Sequence, residues 1–479
     1  MAEPLLLEPL FPDRTSGETL AAQLVRRLRS SIESGAIAPG TRMLGTRQLA
    51  RRLGLGRNTV ALVYEQLLSE GYFESRRGSG TFVSGAAFAR SAPVTTQTAV
   101  ASPDRAARIA ALRDRFTYAT GDGPLRPGMP AVALFPVAAW KRAARRALVA
   151  WDDDLSYAPA HGTGELRAAI ANHVRQFRGV NALDDQVIVV EGAQAALHLA
   201  STVLACEGDA VVVEDPCYAL ARATFELHGF ALAPVPVDDD GIRTELLPEA
   251  ARFAYVTPAH QFPLGGALPL SRRLELLAWA GEQSAYVIED DYDSEFTSRA
   301  RPLPALQSLD RDERIVYVGT FSKTLAPGIR AGYLIVPPHL IAAFRAARAT
   351  TSLGLSLALQ ATLARFIGEG HFARHIRKMN AIYERNRATL ARALDPLRER
   401  GFRLGPMHVG LHVGLTSLRP FSDRSHRHLP DGQRLVAFSD LCLQRGDCTG
   451  FALGFSNGSE SDIRDAAEQL VQALRRANV

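Results

Sequence analysis

From about residue 116 onward the chain alternates short apolar runs with amphipathic stretches, and this alternation constrains its fold more than any other feature. The runs QVIVVEG (186–192), AVVVEDP (210–216), FAYVTP (253–258), AYVIEDD (285–291) and IVYVG (315–319) have the length and β-branched content of strands buried on both faces. Between them, AQAALHLASTVLA (193–205) and SRRLELLAWAGEQ (271–283) place apolar residues at helical spacing. Strand–helix alternation predicts an α/β domain with a mainly parallel sheet covered on both faces. Ligands of such sheets gather at the carboxyl ends of the strands, so the residues just after each run are the ones to read for chemistry.

The first 84 residues follow a different plan. Residues 18–34 read as a helix closed by Gly35, Thr46 opens a short helix ended by Gly54, and a further helix runs from Arg57 or Asn58 to Gly71. YFESRRGSGTFVS then reads as two short strands around a Gly-Ser-Gly tip. Helix, helix, turn, helix and hairpin is the layout of a winged helix-turn-helix. Residues 1–90 hold twelve Arg, no Lys and eight Asp or Glu, a net charge of +4. Such a balance suits an anionic partner, nucleic acid first, or else a solvated basic face; the helix layout favours the first. The expected divisions are a DNA-binding domain over 16–84, a linker rich in Ala, Ser, Thr and Pro over 85–115, and one large domain over 116–479, its larger part about 150–350.

The four cysteines, Cys206, Cys217, Cys442 and Cys448, lack metal-site spacing and read as small core residues of a reducing cytosol, so no metal site is expected. No apolar run is long enough to span a membrane, and the N-terminus MAEPLLLEPLF has acids and prolines where a secretory signal starts basic. A cytoplasmic location is expected.

Of 55 Lys and Arg residues only Lys141, Lys323 and Lys378 are lysines. A guanidinium replaces an ammonium as a surface charge but cannot form an imine, so a lysine kept among so many arginines is a candidate for amine chemistry. Lys141 and Lys378 lie in arginine-rich helical stretches, whereas Lys323 follows the run IVYVG and precedes a Pro-Gly turn. Other strand ends supply partners. Asp290 offers a carboxylate for a pyridine nitrogen. Gly192-Ala193-Gln194 opens a helix whose free N–H groups suit a phosphate. Thr320, Ser322 and Arg330 flank the lysine, Tyr218 can stack on a ring, and Tyr292 can bond its phenolate oxygen. Each has an ordinary reading alone: a helix cap, a packing turn, a core aromatic. Their order and shared position at strand ends point to one cofactor, pyridoxal 5′-phosphate (PLP).

The segments VEGAQAAL, VEDPCY, TPAHQFPLGG, IEDDYDSEF, RPLP and YVGTFSKTLAPGIRAGY closely resemble MocR-type regulators of the GntR superfamily. APGTRM, TRQLARRLG, RNTVALVYEQL, EGY and RRGSGTFV resemble the GntR winged helix in the same way. The resemblance covers about residues 18–475, apart from the linker and a polar loop at 418–434. It implies a winged helix-turn-helix joined to a fold-type I aminotransferase-like domain with a smaller subdomain. It implies that Lys323 carries PLP as an imine, Asp290 faces the pyridine nitrogen, Tyr292 contacts the ring hydroxyl and Tyr218 stacks. Gly192, Ala193, Gln194, Thr320, Ser322 and Arg330 would surround the phosphate, with His260 and Gln261 lining the pocket. It further implies a homodimer with domains exchanged between subunits, an operator in double-stranded DNA, and PLP or a small amine or amino acid as effector. For DNA, Arg57, Asn58 and Thr59 would begin the recognition helix, Arg47 would hold the backbone, and Arg76, Arg77 and Gly78 would form the wing. Gly56 stands where the family often has Ser, which weakens the helix cap. The last strand, CTGFALGF, lacks the arginine that commonly holds a substrate carboxylate; Arg445 lies several residues earlier. The expected function is a PLP-dependent transcription regulator with at most slow residual transamination. The alternative is a working aminotransferase with an accessory DNA-binding domain.

Overall fold

A computed structural model describes residues 10–85, 106–107, 109–112, 121–149, 157–298, 303–419 and 421–476. The chain divides into two compact units between Pro103 and Asp104. Most of the expected linker lies outside the described residues.

In the first unit, α1 (Leu20–Glu33) starts at Thr19, whose hydroxyl accepts from the Ala22 N–H at 3.3 Å. α2 (Thr46–Leu53) ends at Gly54 in the left-handed conformation that glycine adopts without penalty. α3 (Arg57–Ser69) is followed by the hairpin β1 (Phe73–Arg76) and β2 (Gly80–Val83), antiparallel with Phe73 opposite Val83. Leu24, Leu28, Ile32, Leu49, Leu53, Val60, Val63, Leu67, Phe73 and Val83 form its buried core. The Arg29 guanidinium on α1 pairs with Glu70 at the end of α3. This is the three-helix, one-hairpin arrangement expected from the sequence.

The second unit contains α4 (Val137–Val149), α5 (Gly164–Arg178), β3 (Val187–Val190), α6 (Ala193–Leu204), β4 (Ala210–Asp215), α7 (Ala219–Leu227), β5 (Ala231–Asp238), β6 (Gly241–Ile242), β7 (Phe253–Val256), α8 (Leu270–Glu282), β8 (Tyr286–Asp291), β9 (Ile315–Thr320), the single turn α9 (Phe321–Thr324) and β10 (Gly332–Ile335). The eight strands make one sheet in the order β3-β10-β9-β8-β7-β4-β5-β6. Pairs β9·β8, β8·β7, β7·β4 and β4·β5 are parallel; β10 runs antiparallel between β3 and β9, and β6 is an antiparallel edge. Both faces are covered, as the unbroken burial of β3, β7, β9 and β10 requires. A smaller antiparallel sheet, β11 (Phe402–Leu404), β12 (His412–Ser417), β14 (Gly450–Gly454) and β13 (Val436–Ala437), packs with α10 (His371–Leu394) and α11 (Glu460–Arg476). Five of the strands in the main sheet are the apolar runs read from the sequence. Among the described residues no helix is long and apolar enough to cross a membrane.

Candidate functional site

Because β3, β4, β7, β8 and β9 point the same way, their carboxyl ends bring Gly192, Glu214, Thr257, Asp290 and Thr320 to one edge of the sheet. In register, Asp290 lies opposite Val318, and Gly332 lies between Thr320 and Val190. Lys323 sits in α9 directly after β9. Thr320 turns the chain there: its hydroxyl accepts from the Ser322 N–H at 3.1 Å.

The Lys323 amine is held below its ordinary pKa, chiefly by burial. The Asp293 carboxylate opposes that shift, Arg126 adds to it, and Asp290 opposes it again. A lysine so placed has a larger neutral, nucleophilic fraction than one in water. Burial raises the Asp290 carboxyl to about 6, against a hydrogen bond of 2.7 Å from the Tyr255 hydroxyl. Its other oxygen, Oδ1, is buried without a partner. A buried carboxylate oxygen left unsatisfied costs more than a typical hydrogen bond returns, so this position calls for a donor from a ligand.

Gly192 caps α6 with φ +109°, and a Cβ there would lie 3.6 Å from the exposed guanidinium of Arg330. Gly332 is constrained too, since a Cβ would come within 2.8 Å of Gly192 Cα and 2.9 Å of Gly319 O. Three backbones meet here without side chains, leaving the α6 N-terminus and Arg330 to face an anion. Ala193 opens α6, and Gln194 turns away from this cradle: its amide donates to Leu220 O at 3.2 Å and to Thr224 on α7.

Tyr218 is half-buried beside Phe262, with ring centroids 6.1 Å apart, and feels the charges of Asp290 and Arg330. The Tyr292 hydroxyl donates to His260 O at 2.8 Å and lies 3.2 Å from His260 Nδ1. His260 is held by Asp293, Nδ1 to Oδ1 2.9 Å, and its ring lies 4.2 Å from that of His412 on β12. His260 Nε2 and both ring nitrogens of His412 are buried without partners. Donor atoms of His260, Asp293 and His412 lie within 4.8 Å of one another, a grouping that cysteine spacing does not reveal. Gln261 is buried and serves the loop, donating to Pro216 O at 3.0 Å and Phe262 O at 2.8 Å.

In the N-terminal unit, α3 begins at Gly56 with no side-chain cap, as the glycine there implies. Arg47, Arg57 and Asn58 are exposed and Thr59 is half-buried, so the first turn of α3 is accessible. Arg76, Arg77 and Gly78 are exposed on the hairpin; Arg76 bonds Glu74 at 2.9 Å and stacks over Phe82 at 4.6 Å. Arg42, which sequence reading passed over, bridges to Phe82 and brings its side chain beside Gly80.

A family model of bacterial regulatory proteins of the GntR family matches residues 20–83, and one of class I and II aminotransferases matches 129–413. The probable rhizopine catabolism regulatory protein MocR of Rhizobium meliloti is 40% identical over 97% of this chain and 96% of its own. The chain belongs to the MocR-type regulators of the GntR superfamily. The pyridoxine biosynthesis transcriptional regulator PdxR of Corynebacterium glutamicum is 29% identical over 98% of both chains. Among solved structures, LysN of Thermus thermophilus, an α-aminoadipate aminotransferase complexed with N-(5′-phosphopyridoxyl)-L-leucine, superposes with TM-score 0.70 at 26% identity, covering 79% of this chain and 98% of its own. The second unit of this MocR-type regulator therefore has the fold of PLP-dependent class I and II aminotransferases, and its first unit is a GntR-type DNA-binding domain.

Arg445 is engaged elsewhere: it bonds Asp447 at 2.9 and 3.0 Å and Val237 O at 2.7 Å. Tyr255, Asp293, His412 and Arg126 join the site without having been singled out in the sequence. Asp293 and Tyr255 lie within or beside strand-end runs; His412 and Arg126 arrive from distant segments and carry no local signal.

Proposed function

We propose that this MocR-type regulator binds PLP at Lys323 and uses that site to sense PLP itself, or a small amine or amino acid, in controlling an operator. The observation that carries the reading is the orphaned, buried Asp290 Oδ1 at the same sheet edge as a pKa-lowered lysine, in a chain that also holds a GntR domain. PLP, when bound, supplies an electron-accepting ring that reacts with amines. The residues of this chain do the rest. Lys323 offers the amine, Asp290 accepts from the ring nitrogen and holds its proton, and Tyr218 covers the ring. Tyr292, with its hydroxyl steered by His260, meets the ring oxygen. Gly192, Ala193, Thr320, Ser322 and Arg330 take the phosphate, while Gln194 supports the cradle from α7. On the DNA side, Arg57, Asn58 and Thr59 enter the major groove, Arg47 holds phosphate, and Arg42, Arg76, Arg77 and Gly78 form the wing.

A homodimer acting in the cytoplasm fits this reading. Val137, Leu148 and Val149 on α4 and Tyr157 further along the chain are 51%, 50%, 83% and 85% exposed. Such apolar side chains suit burial against a second copy. Effector binding shifts operator affinity only if it favours one arrangement of the dimer over another.

The test pairs spectroscopy with a DNA shift. Purified protein with PLP is expected to show the visible band of a lysine-linked cofactor, and Lys323→Ala to lose it; no band in the wild type sinks the cofactor reading. Arg57→Ala is expected to lose the shift of a DNA fragment from the protein's own upstream region, and an unchanged shift removes α3 as the reader. Lys323 with Asp290 also meets the needs of an aminotransferase. Turnover of common amino donors and keto acids at about 1–1,000 per second would favour that reading.

A further inference from the structure

We propose that Arg126 receives the anionic end of the effector, a role for which the last strand of the small sheet offers no cation. This rests on the effector-sensing reading above and narrows the effector to an amine that also bears a carboxylate or sulfonate.

The strand β14, Gly450-Phe451-Ala452-Leu453-Gly454, carries no charge, and Arg445 is tied to Asp447 and Val237 O. The loop over residues 121–130 runs along the end of that strand. The Gly454 N–H donates to Leu125 O at 2.8 Å, and the Arg126 carbonyl occupies the space that a side chain at 454 would fill. Ser456 Oγ donates to Met129 O at 2.6 Å, and Asn457 Nδ2 to Gly123 O at 2.9 Å. Two residues on, Gly128 reaches the lysine: a Cβ there would sit 3.3 Å from Lys323 Nζ. The loop therefore carries Arg126 from the last strand to the reactive amine.

The Arg126 side chain is half-buried and makes no hydrogen bond or ion pair among the described residues. Of the other arginines around the pocket, Arg330 faces the Gly192 cradle, Arg178 pairs with Asp291, Arg387 with Glu384, and Arg445 with Asp447. The nearby acids have other tasks. Asp293 accepts from His260 and from the Leu411 N–H at 2.9 Å, and Asp290 accepts from Tyr255. A partly desolvated guanidinium without a counter-charge favours an incoming anion, and its planar fork suits a carboxylate or sulfonate. The influence of Arg126 on the Lys323 amine places it within electrostatic reach of the reacting group.

The test uses the full-length protein loaded with PLP and calorimetric titration with β-alanine, taurine and propylamine. The wild type is expected to bind β-alanine or taurine about ten- to hundredfold more tightly than propylamine, the range of a charge-assisted hydrogen bond. Arg126→Met should abolish that preference, Arg126→Lys should restore part of it, and Arg445→Met should keep it. Arg126→Gln, closer in polarity, gives the same reading if the Met variant folds poorly. An unchanged preference in Arg126→Met and Arg126→Gln, or no preference in the wild type, overturns the proposal. A wild type without the lysine-linked band overturns the cofactor reading itself, whereas an intact band with unaltered selectivity removes only Arg126.

Discussion

At the scale of single residues, the site is defined by groups left incomplete. Asp290 keeps one oxygen bonded to Tyr255 and the other bare, so it is built to meet one more donor. Asp290→Asn preserves shape but not charge, and loses the charge-assisted bond to a ring nitrogen. We expect PLP affinity to fall about ten- to hundredfold, read by titration of the visible band; an unchanged affinity would separate Asp290 from the cofactor. Gly332 makes a different demand. Its added methyl would meet backbone on two sides, Gly192 Cα and Gly319 O, and backbone cannot swing aside as a flexible side chain can. Gly332→Ala should push the Gly192 turn from Arg330. The expected result is weaker retention of both PLP and inorganic phosphate; normal phosphate binding would show that the cradle tolerates the shift.

At the scale of elements, the strand runs were legible because a strand buried on both faces is continuously apolar, and the residues after it are exposed by topology to the same edge. Asp290 and Lys323 could be found this way. β10 was not, because Gly332–Ile335 follows β9 across a Pro-Gly turn with no amphipathic helix between them to mark a further strand of the alternation. His412 and Arg126 were invisible for another reason: their neighbours come from segments more than 100 residues away. Gln194 shows the converse, a residue in a readable motif whose side chain is claimed by α7. The same strand edge holds the buried pair Arg178–Asp291, 2.6 Å apart, with the Tyr317 hydroxyl donating to Asp291 at 2.8 Å. Removing one partner strands a buried charge, so Arg178→Met or Asp291→Asn should each cost about 3–5 kcal/mol. The double variant Arg178→Met/Asp291→Asn should lose less than the sum, measured by thermal unfolding; strictly additive losses would show that the two groups do not interact. The edge also predicts a pH response. Burial raises Glu214 and Glu289 to about 7 and Asp290 to about 6, above their ordinary values of 4.5, 4.5 and 3.8. The folded state thus holds these protons more tightly than the unfolded chain. Their contribution is complete below pH 4 and lost as pH rises through 6 to 7. Cofactor-free protein should lose stability steadily between pH 5 and 8, seen as a falling Tm. A Tm that rises over that range would contradict it.

At the scale of the whole molecule, the two units have separate cores and separate tasks. The first needs nothing from the second to bury Leu24, Leu28, Leu49, Val60, Leu67 and Phe73, since these residues pack against one another. A fragment over residues 1–85 should therefore fold alone, with helical circular dichroism and a cooperative melt. The surface proposed for DNA, Arg42, Arg47, Arg57, Arg76 and Arg77, is intact in that fragment, so it should still bind DNA with an affinity that falls as salt rises. What the fragment lacks is the large unit, through which the proposed dimer would form. In a dimer, binding of one domain holds the second near its half-site, and that linkage raises affinity by about 10²–10⁴ without any new contact. The fragment should accordingly bind a two-half-site operator that much more weakly than the full chain, while the two bind a single half-site about equally. Equal affinities on the two-half-site operator would mean that the large unit does not pair DNA-binding domains, and control by the Lys323 site would then need a route that acts within one chain.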